Sequence, residues 1–133
     1  MDLFCYGSLE FAEVMQAVTG RTFAAEPAWL PDFARYRVRD GEYPGLVREP
    51  GARTAGTLFR GLDAASREAL DRFEGALYER QVRQVELRDG RREAADVYVV
   101  VAARRAELTR EPWDKARFGR DHLETFLRRI RVD

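Results

Sequence analysis

This chain of 133 residues holds one cysteine, one histidine and one lysine, and each shortage closes off some chemistry. With Cys5 alone no intramolecular disulfide can form, and a reducing cytoplasm is the expected compartment. Cys5 has no base near it in sequence and lies in a short apolar run, so it reads as a small core residue. His122 is the one residue on which a histidine-based triad could be built, but its helical pattern sets it beside an apolar stripe, where packing or surface exposure is the expected role. Neither residue has partners at metal-ligand spacing, and no P-loop or dinucleotide fingerprint occurs, so neither a metal nor a cofactor is expected. Lys115 is the only lysine; the preference for arginine carries no functional reading. Charge of neither sign is in excess: Lys+Arg and Asp+Glu both number 23. Without a basic field, nucleic acid and anionic membrane are poor partners. No stretch approaches the roughly 18 apolar residues of a membrane-spanning helix. The N-terminus carries Asp2 and lacks the basic and long apolar regions of a signal peptide. No internal repeat, low-complexity segment or linker is visible.

What is present suffices for one domain with one core: 45% of the residues are hydrophobic. Leu3 to Tyr6 reads as a short strand. Ser8 is placed to cap a helix over about residues 9–19, with Phe11, Val14, Met15 and Val18 on one face and Gly20 as its stop. Between residues 21 and 60, Pro27, Pro31, Gly41, Pro44, Pro50 and Gly51 punctuate β-prone pieces, and strands are expected at 23–30, 33–38, 45–48 and 55–60. Asp63 begins a second helix that ends at Gly75. Residues 78–87 and 94–102 form a hairpin around Asp89-Gly90. A helical C-terminal part starts near Thr109 and carries the apolar stripe Leu123, Phe126, Leu127 and Ile130. The sum is an α+β chain with a compact, mainly antiparallel sheet, for which closure into a barrel is one of the arrangements left open.

Two segments are candidates for chemistry. In Tyr6-Gly7-Ser8-Leu9 a strand breaks into a Gly-Ser turn. Gly7 permits close approach of a ligand to the backbone, and free amides beyond it can bind a carboxylate or an oxyanion. The plain alternative is a helix cap. In Leu70-Asp71-Arg72-Phe73-Glu74-Gly75, helical spacing puts Glu74 on the apolar stripe with Leu70 and Phe73, while Arg67, Glu68, Asp71 and Arg72 project elsewhere. Burial and the negative end of the helix dipole both disfavour its charge. A shift from about 4.3 to between roughly 6 and 7 costs roughly 3 kcal/mol, a burden on a structural residue but suited to a general base near neutral pH. The alternative here is a pairing with an arginine such as Arg80. Arg91-Arg92, Arg104-Arg105 and Arg128-Arg129 read as solvated surface, and Trp29, Trp113 and Phe118 as packing.

These residues resemble a known family. Phe4-Cys5-Tyr6-Gly7-Ser8-Leu9, Gly41-Glu42-Tyr43-Pro44-Gly45-Leu46, Gly56-Thr57-Leu58-Phe59, and Leu70 to Gly75 with Tyr78 and Arg80 follow the order and spacing of the γ-glutamylcyclotransferase-like (AIG2-like) proteins over about residues 3–101, and Val97-Tyr98-Val99 also fits. The C-terminal helix with Trp113, His122, Leu123 and Phe126 looks like an extension seen in some bacterial members. The resemblance implies a β-barrel flanked by helices, with a γ-glutamyl group received at Tyr6, Gly7, Ser8 and Leu9. It implies Glu74 as the catalytic acid/base, with Tyr78 and, less directly, Tyr43 lining the pocket. The expected partner is a small γ-glutamyl compound, cyclised to 5-oxoproline with release of its amine. Other readings of the same pocket are a non-catalytic site for a small carboxylate, acyl transfer on a carrier-linked γ-glutamyl group, and a plain interaction domain. The leaving amine and the oligomeric state are not readable from residue types.

Overall fold

Three residues divide the interior in two. In the computed structural model, which describes residues 1–132, strand β1 (Leu3–Cys5) is buried on both faces. Side chains alternate along a strand. Phe4 and, just beyond the strand, Tyr6 therefore enter the barrel, where they meet Ala28, Leu30, Leu58, Val85, Val97 and Val99. Leu3 and Cys5 point the other way, into a second core with Val14, Met15, Phe59 and Leu70.

Strands β2 (Ala25–Val38) and β3 (Pro44–Phe59) form a long antiparallel hairpin; β4 (Tyr78–Leu87) and β5 (Arg92–Val100) form a second. β1 pairs antiparallel with β3 and parallel with β5, and β2 pairs with β4. The order β3-β1-β5-β4-β2 returns to β3, giving a closed five-stranded mixed barrel, and β6 (Leu108–Pro112) is appended to β2. The expected barrel and the hairpin around Asp89-Gly90 are present.

Helix α1 (Ala12–Thr19) buries Val14 and Met15 and stops at Gly20, whose φ of 74° is the left-handed cap conformation. α2 (Ala64–Glu74) begins after Asp63, whose carboxylate accepts a hydrogen bond from the Ser66 hydroxyl. α3 (Lys115–Asp121) is capped by Asp114, whose side chain accepts the Arg117 amide. α4 (Leu123–Val132) lays Leu123, Phe126, Leu127 and Ile130 against the second core. Among the described residues no helix is long and apolar enough to cross a membrane.

Three expectations need correction. Ser8 does not cap a helix over 9–19; it opens one 3-10 turn (Ser8–Glu10), Phe11 is extended, and α1 begins at Ala12. The four short strands expected between 23 and 60 are two long ones. Pro31 and Pro50 flank a bulge rather than break the sheet: Asp32 takes φ 65°, Gly51 takes φ 85°, and the Gly51 amide donates to the Asp32 carboxylate at 3.0 Å. Thr109 does not start a helix; it lies in β6, where its hydroxyl donates to the Arg37 carbonyl at 2.7 Å.

Candidate active site

The end of α2 decides where Glu74 points. A helix places residues three and four apart on one face, so Leu70, buried, carries Phe73 and Glu74 to the side that meets β1 and α4. Gly75, at φ 70°, then ends the helix in a conformation that L side chains rarely adopt, and the chain turns into β4.

Glu74 is half-buried and lines a cavity of about 390 Å³. Phe4, Tyr6, Phe73, Leu77, Tyr98 and Phe126 supply apolar and aromatic walls. Burial pushes the Glu74 carboxyl up to about 8. The alternative of an ion pair with Arg80 is not what the fold builds: Arg80 binds Asp71 at 2.8 Å and stands 3.5 Å from Asp96. Asp71 faces outward, takes the Tyr98 hydroxyl at 2.7 Å, and is held below the usual carboxylate range by its hydrogen bond from Arg80.

Tyr6, Gly7, Ser8, Leu9, Tyr43 and Tyr78 line the same cavity, so all seven residues singled out in the sequence come together. Each is positioned differently. Tyr6 is buried and its hydroxyl donates to the carbonyl of Tyr98. Gly7 runs beside Pro44, whose ring carbons would stand 3.0 Å from a Cβ there. Ser8 opens the 3-10 turn, in which Glu10 N–H bonds Gly7 C=O at 3.0 Å and Phe11 N–H bonds Ser8 C=O at 3.1 Å. The first amides of such a turn have no partner within it and are available to an anion. Those amides belong to this one turn and not to the start of α1. Leu9 is anchored in the second core. The Tyr78 hydroxyl donates to the Pro44 carbonyl at 2.6 Å, which ties β4 to the Tyr43-Pro44 wall, while Tyr43 itself stands exposed at the rim.

Cys5 also lines the cavity. Burial first, then the nearby Glu74 and Glu10, push its thiol well above the ordinary value, so it stays protonated and serves as packing. His122 lies elsewhere, 3.4 Å from a Glu42 carboxylate oxygen and tilted against Phe118. Arg104, read with Arg105 as a solvated pair but also as part of a loop, 104–115, expected to help wall the pocket, does line the cavity, clamped to Glu107 by bonds of 2.5 and 2.9 Å. It sits on a 3-10 segment (Ala102–Glu107) that has no periodicity to reveal its direction. Phe126 belongs to a visible helical stripe, but only packing shows that the stripe faces this cavity. Among the described residues, no group of three or more histidine, cysteine, aspartate or glutamate side chains is arranged to hold a metal ion.

Comparison with known proteins gives consistent results. Residues 3–115 match the family described as gamma-glutamyl cyclotransferase, AIG2-like. AIG2-like protein D of Arabidopsis thaliana is 29% identical over 128 residues, covering 96% of this chain and 84% of that protein. An Arabidopsis thaliana protein solved in solution superposes with a TM-score of 0.75 at 26% identity, covering 96% of this chain and 86% of the other. A yeast gamma-glutamyl cyclotransferase specific to glutathione shares the fold, with a TM-score of 0.66 at 13% identity over 99% of this chain and 94% of its own.

Proposed function

The chain belongs to the gamma-glutamyl cyclotransferase, AIG2-like family, and from that premise we propose that it cyclises a γ-glutamyl compound to 5-oxoproline and releases the attached amine. The observation that carries this reading is Glu74: a half-buried carboxyl with no basic partner among the described residues, raised to about 8, in one cavity with the Gly-Ser turn.

The substrate's α-ammonium has no free electron pair. Ionised Glu74 takes one proton from it. The freed amine attacks the γ-carbonyl of the same molecule and closes a five-membered ring, and the carbonyl oxygen becomes an oxyanion. Amides of the turn at residues 7–9 receive that charge; a donor of this kind contributes about 3–4 kcal/mol. Glu74 delivers its proton to the leaving nitrogen as the bond from the carbonyl carbon to that nitrogen breaks. It then takes the extra proton still carried by the ring nitrogen, which leaves the neutral lactam, and passes it to the released amine, which departs as an ammonium. Acid–base catalysis of this kind contributes about 10²- to 10⁴-fold. Because attack is intramolecular, the rest of the task is to hold the substrate folded with amine and carbonyl in contact, and the aromatic walls at Tyr6, Tyr78 and Tyr98 supply the mould.

The test is 5-oxoproline release from a panel of γ-glutamyl amino acids, peptides and amines, with wild type and Glu74→Gln side by side. The wild type is expected to turn over at least one member, and the variant to lose about 100-fold or more in kcat while keeping its fold by circular dichroism. A variant with near-wild-type rate rules out this role for Glu74. Ligand uptake without product in the wild type moves the reading to a binding site.

A further inference from the structure

Arg35 does not line the cavity, and the reaction as described gives it no task. Yet its guanidinium is one of the most committed groups in the molecule. A single nitrogen, Nη1, donates to the Tyr6 carbonyl at 2.7 Å and to the Ala55 carbonyl at 3.3 Å, and stands 3.6 Å from Glu10 Oε2. The guanidinium carbon lies 5.3 Å from the centre of the Trp113 ring, and Trp113 is itself held by its indole N–H to the Glu42 carbonyl at 2.8 Å. Glu10 ends the 3-10 turn that begins at Ser8, and its side chain is only 5% exposed. Its Oε1 accepts the Thr57 hydroxyl at 3.2 Å and lies 3.9 Å from Lys115 Nζ, but its Oε2 is buried without a hydrogen-bond donor among the described residues. A buried acceptor left so is costly, so the arrangement needs a reason beyond packing.

We propose that Arg35 is a positioning residue for the anion-binding turn: by holding the Tyr6 carbonyl it orients and polarises the Tyr6–Gly7 peptide, so that the Gly7 N–H is presented to the oxyanion, with Glu10 as the counter-charge that keeps the guanidinium in place. The catalytic part rests on the cyclotransferase reading; the geometric part does not. A trans peptide is planar, and its C=O and N–H point in opposite directions. Tyr6 C=O points at Arg35, outside the cavity, while Gly7 lines the cavity. The Gly7 N–H is thereby directed away from Arg35, at a residue that lines the cavity. A cation on the carbonyl oxygen also draws electron density from the amide nitrogen, which makes the N–H a stronger donor. A donor held in place before the reaction needs no reorganisation when the charge develops.

A purely structural role, in which Arg35 only offsets the buried charge of Glu10, makes a different prediction. Removing both charges together in Arg35→Gln/Glu10→Gln would then restore function. Under the proposal the double variant stays slow. The experiment measures 5-oxoproline release by wild type, Arg35→Gln and the double variant, together with the Gly7 amide proton shift by ¹H–¹⁵N NMR. The expected result for the double variant is a kcat about 10- to 100-fold lower, a KM within about threefold of wild type, and an upfield move of the Gly7 proton. Wild-type kcat in the double variant, or an unmoved Gly7 resonance, overturns the proposal. If the wild type itself releases no 5-oxoproline, the cyclotransferase reading has failed. The Gly7 shift then decides the geometric claim alone: a move supports it and no move refutes it.

Discussion

Glu74 shows what burial does to a single carboxyl. An ordinary glutamate ionises near 4.3, whereas Glu74 keeps its proton until about 8. As the base it must be ionised, so kcat/KM is expected to rise with pH and level off above about 8; a profile already flat at pH 6 would contradict the assignment. Binding the substrate's ammonium beside it favours the carboxylate, so the same inflection in kcat should fall at lower pH. The shift also links to stability. Between about pH 4.5 and 8 the folded chain holds a proton on Glu74 that the unfolded chain has released, so this residue's contribution to stability falls as pH rises through that window and is constant above it. Glu74→Gln has no such loss. Its melting temperature relative to wild type should climb across the window by roughly 3 °C or more, and thermal scans at pH 5 and pH 8.5 would measure the difference. The direction of Glu74 was legible, because its spacing from Leu70 and Phe73 is helical. That Arg80 would be engaged by Asp71 and Asp96 was not, since Asp96 arrives from β5.

Among the elements, β3 passes β1 so closely at Gly56 that no side chain fits there. A Cβ on Gly56 would collide with the Cys5 carbonyl and the Phe4 ring. Phe4 is buried in the barrel and the carbonyl is backbone, so neither can yield cheaply. Gly56→Ala is therefore expected to destabilise by roughly 1–3 kcal/mol, read as a lower urea midpoint with unchanged slope. Elements with strong local signals were predicted well: the α2 end at Gly75, the α1 stop at Gly20 and the Asp89-Gly90 turn all depend on a residue and its neighbours. Misread elements depended on distant ones. Pro31 and Pro50 look like breakers until the strands are laid side by side and the Asp32–Gly51 bulge absorbs the irregularity. Thr109 looks like a helix start until β2 offers it an edge.

At the scale of the molecule, β1 binds the two cores together, because its alternate side chains belong to different ones. Neither core can open without losing this strand. We expect the 133 residues to unfold as one cooperative unit, with calorimetric and van't Hoff enthalpies equal; two separated transitions would show that the barrel and the helical layer are independent. Turn spacing left closure of the sheet open, and the family resemblance implied the barrel that the structure has. The means of closure, the parallel pairing of β1 with β5, joins residues more than 90 apart and leaves no local trace.

By itself the sequence determined the pieces that short-range physics controls: which residues alternate or recur at helical spacing, where glycine is required, and which acid lies on an apolar face. Those pieces singled out Glu74 and the turn from Tyr6 to Leu9, while Tyr43 and Tyr78 were added by the family resemblance; all seven line the cavity. Only the tertiary structure decided what surrounds them. It brought Arg104 and Phe126 to the cavity wall and carried Arg80 away from Glu74. It also set Arg35 behind the Tyr6 carbonyl. These relations join segments 20 or more residues apart in most cases, and such contacts exist only once the chain has folded.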